Sequence, residues 1–270
     1  MSGHFAALDA ADFPAFLPGT VWLVGAGPGA PGLISLLGYY AMGQADVIVY
    51  DALVGDGLLR LAHPDAELVH AGKRGGKPSP KQADISLRLI EWARAGKRVL
   101  RLKGGDPFMF GRGGEEAAAL FHAGIKFRIV PGISSGLGGL AYAGIPVTHR
   151  DANQAVIFLT GHDETGDLPQ SVDWTAIANA APVIVMFMAV KHLAAIAGKL
   201  LGAGRDPADR LAIVSHAALP AQTVRETTLG CVAELGDDLP TPAIVVLGPV
   251  SRYRDVLDWY TDDQRGNAFG

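Results

Sequence analysis

The sequence is poor in cysteine and has no long hydrophobic run. Cys231 is the single cysteine among 270 residues, so the chain can form neither an internal disulfide nor a cysteine-based metal cluster. This cysteine usage fits a reducing cytoplasm. The longest apolar run, PVIVMFMAV at residues 182–190, is far shorter than the roughly 18 residues that a membrane helix needs. We therefore expect a protein with no membrane partner.

The N-terminal stretch and the usual catalytic motifs are also notable for what they lack. Residues 1–18 contain no lysine or arginine, so they lack the positive region of a signal peptide and are predicted to form an arm. The sequence has no metal-site spacing of His, Asp and Glu, no G-x-S-x-G elbow and no Walker lysine. The sequence therefore lacks the residues that hydrolases and nucleoside triphosphatases usually need, which argues against both classes.

The charge is slightly negative overall but unevenly distributed. The formal net charge of -4 argues against a nucleic-acid partner. Residues 70–130 nevertheless hold 13 Lys and Arg against 5 Asp and Glu. This segment either meets an anion or forms solvated helix faces.

Short apolar runs that resemble buried strands alternate with segments of helical period. The strands are predicted at 21–24, 47–50, 98–102, 127–130, 155–159, 183–188, 211–214 and 243–247, and the helices at 32–44, 81–95, 114–123, 190–201 and 252–260. This alternation predicts an α/β fold of two α/β domains with mostly parallel sheets. The hairpin-like stretch at 222–229 predicts some antiparallel strand. We predict an arm at 1–18, an N-terminal α/β domain at 19–134, a C-terminal α/β domain at 135–253, and a C-terminal helix and tail at 254–270.

A glycine-rich turn, VGAGPGAPG at 24–32, follows the first predicted strand. Glycines in such a turn let the backbone approach a ligand closely. With Asp51 at the end of the next strand, the turn can be read as a dinucleotide fingerprint of an NAD-dependent oxidoreductase. The prolines Pro28 and Pro31 remove amide donors that a pyrophosphate would need, which weakens that interpretation. A tight connection without any ligand is the other alternative.

The segment LKGGDPFMFGRGGEE at 102–116 contains more glycines and charged residues than a connecting loop needs. It combines five glycines, an acid, an arginine and two further acids directly after a strand, where the ligand sites of α/β proteins form. Phe108 and Phe110 are predicted to be buried. Glu116 is explained by capping of the following helix, whereas Arg112 is not.

Three further segments carry candidate residues. In VPGISS at 130–135, the two serines either cap a helix or bind a carboxylate. Arg150, in AYAGIPVTHRD at 141–151, is a better candidate than the neighbouring His149. The cation-rich AGKRGGKPSPKQ at 71–82 is either a lid over an anion or an exposed loop.

Taken in order, VGAGPG, YDALV, AGKRGG, RLKGGDPFMFGRGGEE, VPGISS and AYAGIPVTHR closely resemble the uroporphyrinogen III C-methyltransferases of the tetrapyrrole methylase family. The resemblance extends from about Val21 to Val250. It implies S-adenosylmethionine as cofactor, S-adenosylhomocysteine as product, a cofactor site in the cleft between two domains, and a homodimer. It also implies two ring-carbon methylations, of uroporphyrinogen III and then of precorrin-1, which give precorrin-2 for siroheme, cobalamin or heme d1. Another methyltransferase of the same family remains an alternative.

The resemblance also implies roles for individual residues. Asp51 and Lys73 match the positions of the proton acceptor and donor. The substrate contacts match Arg112, Glu115 and Arg150. The positions that line the cofactor match Pro28, Gly104, Gly105, Asp106, Met109, Ser134, Ser135, Met188, Ala217 and Ala243, with Met186 as an alternative to Met188.

Arginine is a poor base because its pKa exceeds 12. We therefore expect Arg112 to orient the substrate, and Asp51 to take the proton that leaves after attack by carbon.

Overall fold

A computed structural model describes residues 13–72, 82–236 and 238–266. The chain divides into two compact units, Met1–Ile133 and Ser134–Gly270. The domain bounds predicted above stay a prediction, because compactness does not test whether each part folds on its own. No helix in the described ranges is long and apolar enough to cross a membrane.

The first unit contains a five-stranded parallel sheet in the order β3-β2-β4-β1-β5. Its strands are β1 Val21–Gly25, β2 Val47–Tyr50, β3 Glu67–His70, β4 Val99–Lys103 and β5 Phe127–Val130, and its helices are α1 Leu36–Gln44, α2 Asp56–Leu59, α3 Gln82–Arg94 and α4 Gly113–His122. One hydrophobic cluster packs around Trp22, Ile48 and Leu100, and another around Leu23 and Val99. Both faces of the sheet are therefore covered, as the apolar strands require.

The strand order places a crevice at the ends of β1 and β4. After β1 the chain crosses to β2 on one side, and after β4 it crosses to β5 on the other side. Where the connections of a parallel sheet diverge in this way, the loops leave space at the carboxyl ends of the strands. The two glycine-rich segments, 24–32 and 104–114, leave the sheet at this point.

The second unit contains a mixed sheet in the order β6-β7-β10-β8-β9. Its strands are β6 Val156–Thr160, β7 Val183–Phe187, β8 Arg210–Ser215, β9 Thr223–Thr228 and β10 Ala243–Leu247, and its helices are α5 Ser135–Tyr142, α6 Trp174–Ala180, α7 Leu193–Gly202, α8 Arg254–Leu257 and α9 Asp262–Gly266. β6 and β7 are parallel, whereas β10 is antiparallel to β7 and β8. The carboxyl ends of β7 and β8 and the start of β10 therefore share one edge of the sheet.

The predicted fold class is confirmed, and five of the eight strand pairings in the described part of the chain are parallel. The predicted antiparallel stretch at 222–229 forms β9, which pairs with β8. The predicted helix at 252–260 is wrong in length. Residues Pro249–Tyr253 form a 3-10 turn, and α8 covers only Arg254–Leu257.

Candidate active site at the carboxyl edges of two sheets

Four glycine backbones meet at the ends of β1, β4 and β5. Gly27 and Gly105 form an antiparallel bridge in which the Gly27 N–H donates to the Gly105 carbonyl at 3.1 Å and the Gly105 N–H donates back at 2.8 Å. A Cβ atom at Gly132 would lie 2.3 Å from the Gly105 carbonyl oxygen and 2.7 Å from the Gly25 Cα atom. The ends of these strands thus pack directly against one another through bare backbone, with Gly104 and Pro28 adjacent in the chain.

Two carboxylates fix the ends of these strands. Asp51, directly after β2, accepts from the Leu53 N–H at 3.0 Å and, through its other oxygen, from the Gly104 N–H at 3.2 Å. Asp106 accepts from the Phe108 N–H at 2.8 Å and from the Gly132 N–H at 3.0 Å. Each acid therefore links the ends of two strands by hydrogen bonds. The sequence did not predict this structural role for either acid.

The loop between β4 and α4 is strained and exposes aromatic rings. Phe110 and Arg112 both have left-handed backbones, with φ of 51° and 58°, and such non-glycine residues cost about 1–3 kcal/mol each. Phe108 is 58% exposed and Phe110 is 38% exposed, so the prediction that this pair is buried is wrong. The two rings lie on the surface of the loop. Met109 lies between them and is half-buried.

Arg112 and Glu115 form a bidentate pair at the start of α4. The guanidinium donates through Nε to Oε1 at 2.8 Å and through Nη2 to Oε2 at 2.7 Å. These hydrogen bonds hold the pKa of Glu115 below its ordinary value. Both side chains are about half exposed, so the pair lies open to solvent.

Beneath this pair lies a buried charge cluster formed by Arg101, Lys103 and Glu116. The Glu116 side chain is 0% exposed and receives hydrogen bonds from Arg101 at 3.1 Å and from Lys103 at 3.2 Å. The expectation that Glu116 serves as a helix cap is wrong, because its carboxylate is turned into the protein toward β4. The sequence carried a signal, since Arg101 and Lys103 are two residues apart on a buried strand and therefore share one face.

In the second unit, one edge of the sheet gathers the remaining cofactor candidates. Met188 follows β7 with a left-handed backbone, and Ala217 lies between the left-handed residues His216 and Ala218 after β8. Ala243 begins β10 beside Ser215. The five candidates that the second unit contributes to this edge are Ser134, Ser135, Met188, Ala217 and Ala243.

Helix α5 brings the two serines of this set to the edge. Cβ atoms added at Gly136 and Gly139 would lie 2.5 Å from the Phe187 ring and 2.8 Å from the Ala217 Cβ atom, so the helix packs directly against the strand ends. The Ser134 hydroxyl is buried and has no hydrogen-bond partner among the described residues. Met186, the alternative to Met188, is fully buried in the core, whereas Met188 is 42% exposed. Of these two methionines, Met188 is the one whose side chain is open to solvent.

Arg150 lies at the exposed tip of a tight turn. Buried Asn153 accepts from the His149 N–H at 3.0 Å and donates to the carbonyls of Val147 and Ala155 at 3.1 and 3.2 Å. These bonds fix the turn that presents Arg150 to solvent. Lys73 lies outside the described residues, as does most of the cation-rich segment at 71–82.

The observed turn after β1 does not suit a dinucleotide. The Gly27 N–H is already bonded to Gly105, and α1 begins only at Leu36, after a separate 3-10 turn. A pyrophosphate would therefore lack the helix N-terminus that such a fingerprint provides. Among the residues that the structure describes, no group of three or more His, Cys, Asp or Glu is placed to hold a metal ion.

Comparison with known proteins gives one consistent result. The sequence profile of the tetrapyrrole (corrin/porphyrin) methylases matches residues 20–233. A uroporphyrinogen-III C-methyltransferase from a Sinorhizobium species is 61% identical over 253 residues, which cover 92% of this chain and 90% of the relative.

Two further relatives bear on the fold and the ligand. The crystal structure of uroporphyrin-III C-methyl transferase from Thermus thermophilus complexed with S-adenyl homocysteine has a TM-score of 0.76 and 39% identity, over 86% of this chain and 99% of that one. A siroheme synthase from Neisseria meningitidis serogroup B is 44% identical over 92% of this chain, which spans about half of that relative (51%).

Proposed function

This chain belongs to the tetrapyrrole methylase family, and from that premise we propose that it is an S-adenosylmethionine-dependent uroporphyrinogen III C-methyltransferase. It converts uroporphyrinogen III to precorrin-2 by two successive methylations of ring carbons. The observation that carries this proposal is the 61% identity to a uroporphyrinogen-III C-methyltransferase over nearly the whole of both chains. Precorrin-2 is a precursor of siroheme and cobalamin.

In each unit taken by itself, the described residues at the carboxyl edge of the sheet suit S-adenosylmethionine. The glycine backbones of the first unit pack against one another without intervening Cβ atoms, and bare peptide groups at such strand ends allow close approach of a ligand. The unpartnered Ser134 hydroxyl and the exposed Met188 side chain supply a polar and an apolar contact. When bound, S-adenosylmethionine supplies a methyl group carried on a sulfonium.

The protein's main contribution is to position the two reactants. Methyl transfer to a neutral carbon removes the positive charge from sulfur, so a strong anion beside the sulfur would oppose the reaction. Orienting the acceptor carbon in line with the methyl group, at roughly 3–3.5 Å, is the kind of effect that contributes about 7–11 kcal/mol in well-oriented systems. Hydrogen bonds restrain the strand ends at Gly104, Gly105 and Gly132. Such restraint suits the positioning of a bound cofactor.

The substrate is a macrocycle with an acetate and a propionate on each pyrrole. Arg112 and Arg150 grip its carboxylates through paired hydrogen bonds, and Glu115 holds Arg112 in place until substrate arrives. Precorrin-1, which carries one added methyl group, is the substrate of the second step and keeps the same carboxylates. We further propose that the chain acts in the cytoplasm as a homodimer.

We assign to Asp51 the proton that leaves the substrate after a ring carbon has taken the methyl group, with Lys73 as donor or carboxylate contact. Asp51 already accepts two backbone hydrogen bonds, so Asp51→Asn tests both this structural role and the proposed proton transfer. Loss of kcat with unchanged affinity for S-adenosylhomocysteine supports proton transfer, whereas undiminished kcat across pH removes Asp51 from that role. Arg112→Leu is expected to raise KM for uroporphyrinogen III.

The direct test is to incubate the purified protein with uroporphyrinogen III and methyl-labelled S-adenosylmethionine and to count the methyl groups on the product. Two methyl groups on ring carbons are expected. A product with one methyl group, or turnover only with a later corrinoid intermediate, would favour another methyltransferase of the same family. Absence of turnover with every tetrapyrrole tested would contradict the proposal.

A further inference from the structure

The buried cluster of Arg101, Lys103 and Glu116 contains two cations and one carboxylate. Arg101 and Lys103 both contact the single carboxylate of Glu116, and the three side chains are 4% exposed or less. Arg101 is further supported by the carbonyls of Val49 and Leu102, at 3.2 and 3.1 Å. Lys103 is therefore the surplus cation of this cluster.

A surplus buried cation opposes folding. Burial and the neighbouring Arg101 lower the pKa of Lys103, while Glu116 and Asp51 only partly oppose that effect. Apolar replacements of buried charges are often neutral or stabilising. A lysine that does not improve stability at this position calls for a functional reason.

The position of Lys103 supplies that reason. It directly precedes the Gly104–Gly105 turn proposed to line the cofactor, and its ammonium bonds to Glu116 in the first turn of α4. The same first turn of α4 carries Glu115, and its N-cap is Arg112. Lys103 thus connects the cofactor strand to the helix end that bears the proposed substrate residues.

We propose that Lys103 is a positioning residue, whose bond to Glu116 sets the first turn of α4, and with it Arg112 and Glu115, relative to the glycine turn after β4. This inference rests on the proposed function. The glycine turn itself is held by other bonds: the Ala26 N–H donates to the Lys103 carbonyl at 2.7 Å, and Asp51 and Asp106 hold the Gly104 and Gly132 amides. Removing the lysine side chain should therefore displace the substrate residues without disturbing the cofactor turn.

The test compares Lys103→Met with the unmodified protein. Met leaves Arg101 and Glu116 as a balanced pair, so the variant should unfold at the same temperature or higher. We expect kcat for uroporphyrinogen III to fall at least tenfold and KM to rise, while the Kd for S-adenosylhomocysteine stays within twofold. Arg98→Met is the matched control, because it removes the Asp46 ion pair at the opposite end of β4 and should leave kcat unchanged.

A second measurement makes the result independent of turnover. Amide hydrogen exchange in the first turn of α4 should be at least tenfold faster in Lys103→Met, with no change at residues 104–106. A kcat within twofold of the unmodified protein, or a Kd that weakens in proportion to kcat, overturns the proposal. If the unmodified protein does not methylate uroporphyrinogen III, the proposed function fails. In that case hydrogen exchange by itself decides the positioning role of Lys103. Unchanged exchange in α4 rejects the role, and faster exchange in Lys103→Met but not in Arg98→Met supports it.

Discussion

Gly132 is the residue at which the crevice tolerates the least change. A Cβ atom there would lie 2.3 Å from the Gly105 carbonyl oxygen, and both neighbours are backbone that cannot rotate away. We expect Gly132→Ala to destabilise the protein by about 1–3 kcal/mol, as overpacking does, and to weaken S-adenosylhomocysteine binding more than tenfold. Thermal unfolding and calorimetric titration measure the two effects.

Gly114→Ala is the matched control for that substitution. Gly114 lies in the first turn of α4, and a Cβ atom there would meet nothing within 4 Å. Alanine in a helix should add about 0.4–1 kcal/mol of stability and leave ligand affinity unchanged. Equal loss of affinity in both variants would mean that the strand ends do not form the binding surface.

The buried hydroxyl of Ser134 offers a test of the second unit. A buried hydroxyl without a partner costs about 1–3 kcal/mol, so Ser134→Ala should leave the free protein as stable as before or more stable. If the hydroxyl bonds to the cofactor, the same change should weaken S-adenosylhomocysteine binding by roughly fivefold, the worth of an ordinary hydrogen bond. Titration calorimetry on both proteins measures this difference.

Ser251 serves as the comparison for Ser134. It is fully buried and likewise lacks a partner among the described residues, but it follows the carboxyl end of β10, opposite to Ala243. Ser251→Ala should match Ser134→Ala in stability and keep full affinity. Weaker binding in both variants would assign the effect to general loosening.

Sequence reasoning found the candidate residues whose chemistry is local. The glycines after β1 and β4 and the acids Asp51 and Asp106 stand out in the sequence as turn residues, whereas the bonds of the two acids to Gly104 and Gly132 do not. The pairing of Glu116 with Arg101 was hidden because it joins residues 15 positions apart on different elements. Only the crossing of α4 over one face of β4 brings them together.

Among the elements, α5 shows how packing overrides helix propensity. Its sequence SGLGGLAY contains three glycines, which are poor helix formers, so only the possible capping serines before it, and not its own pattern, suggested a helix there. The glycines let the helix lie against Phe187 and Ala217 at distances that a Cβ atom would forbid. The edge strand β3 was missed for a different reason, because two of its four residues are exposed and it lacks the buried pattern of its neighbours.

The ion pair between Asp46 and Arg98 joins the starts of β2 and β4, and it makes stability depend on pH. Hydrogen bonds from Arg98 lower the pKa of Asp46 in the folded protein, so the pair stabilises the fold above the ordinary aspartate pKa of about 3.9. This contribution is lost as pH falls through the lowered value. We expect Asp46→Asn to cost about 1 kcal/mol near pH 7, and the difference to vanish in strong acid. Urea unfolding from pH 7 down to pH 3 measures the trend.

Asp65→Asn is the control for Asp46→Asn, because the Asp65 side chain is 93% exposed. Its removal should change unfolding by a few tenths of a kcal/mol at most, as is usual for surface groups. A difference for Asp46→Asn that persists unchanged at the lowest pH would show that packing, and not the ion pair, accounts for it.

The unfolding temperature of the whole chain, measured with each candidate cofactor, shows which one it binds. A ligand that binds only the folded protein stabilises it by about 2.7 kcal/mol at 100 times its Kd. S-adenosylhomocysteine should therefore raise the unfolding temperature in a concentration-dependent way, whereas NAD should not, because the Gly27 amide is already bonded and α1 starts too late to receive a pyrophosphate. Differential scanning fluorimetry with both ligands at matched concentrations measures this. Stabilisation by NAD alone would restore the dinucleotide interpretation of the first glycine turn. Ser134→Ala is the control, because it should reduce only the temperature shift caused by S-adenosylhomocysteine and so separates specific from general stabilisation.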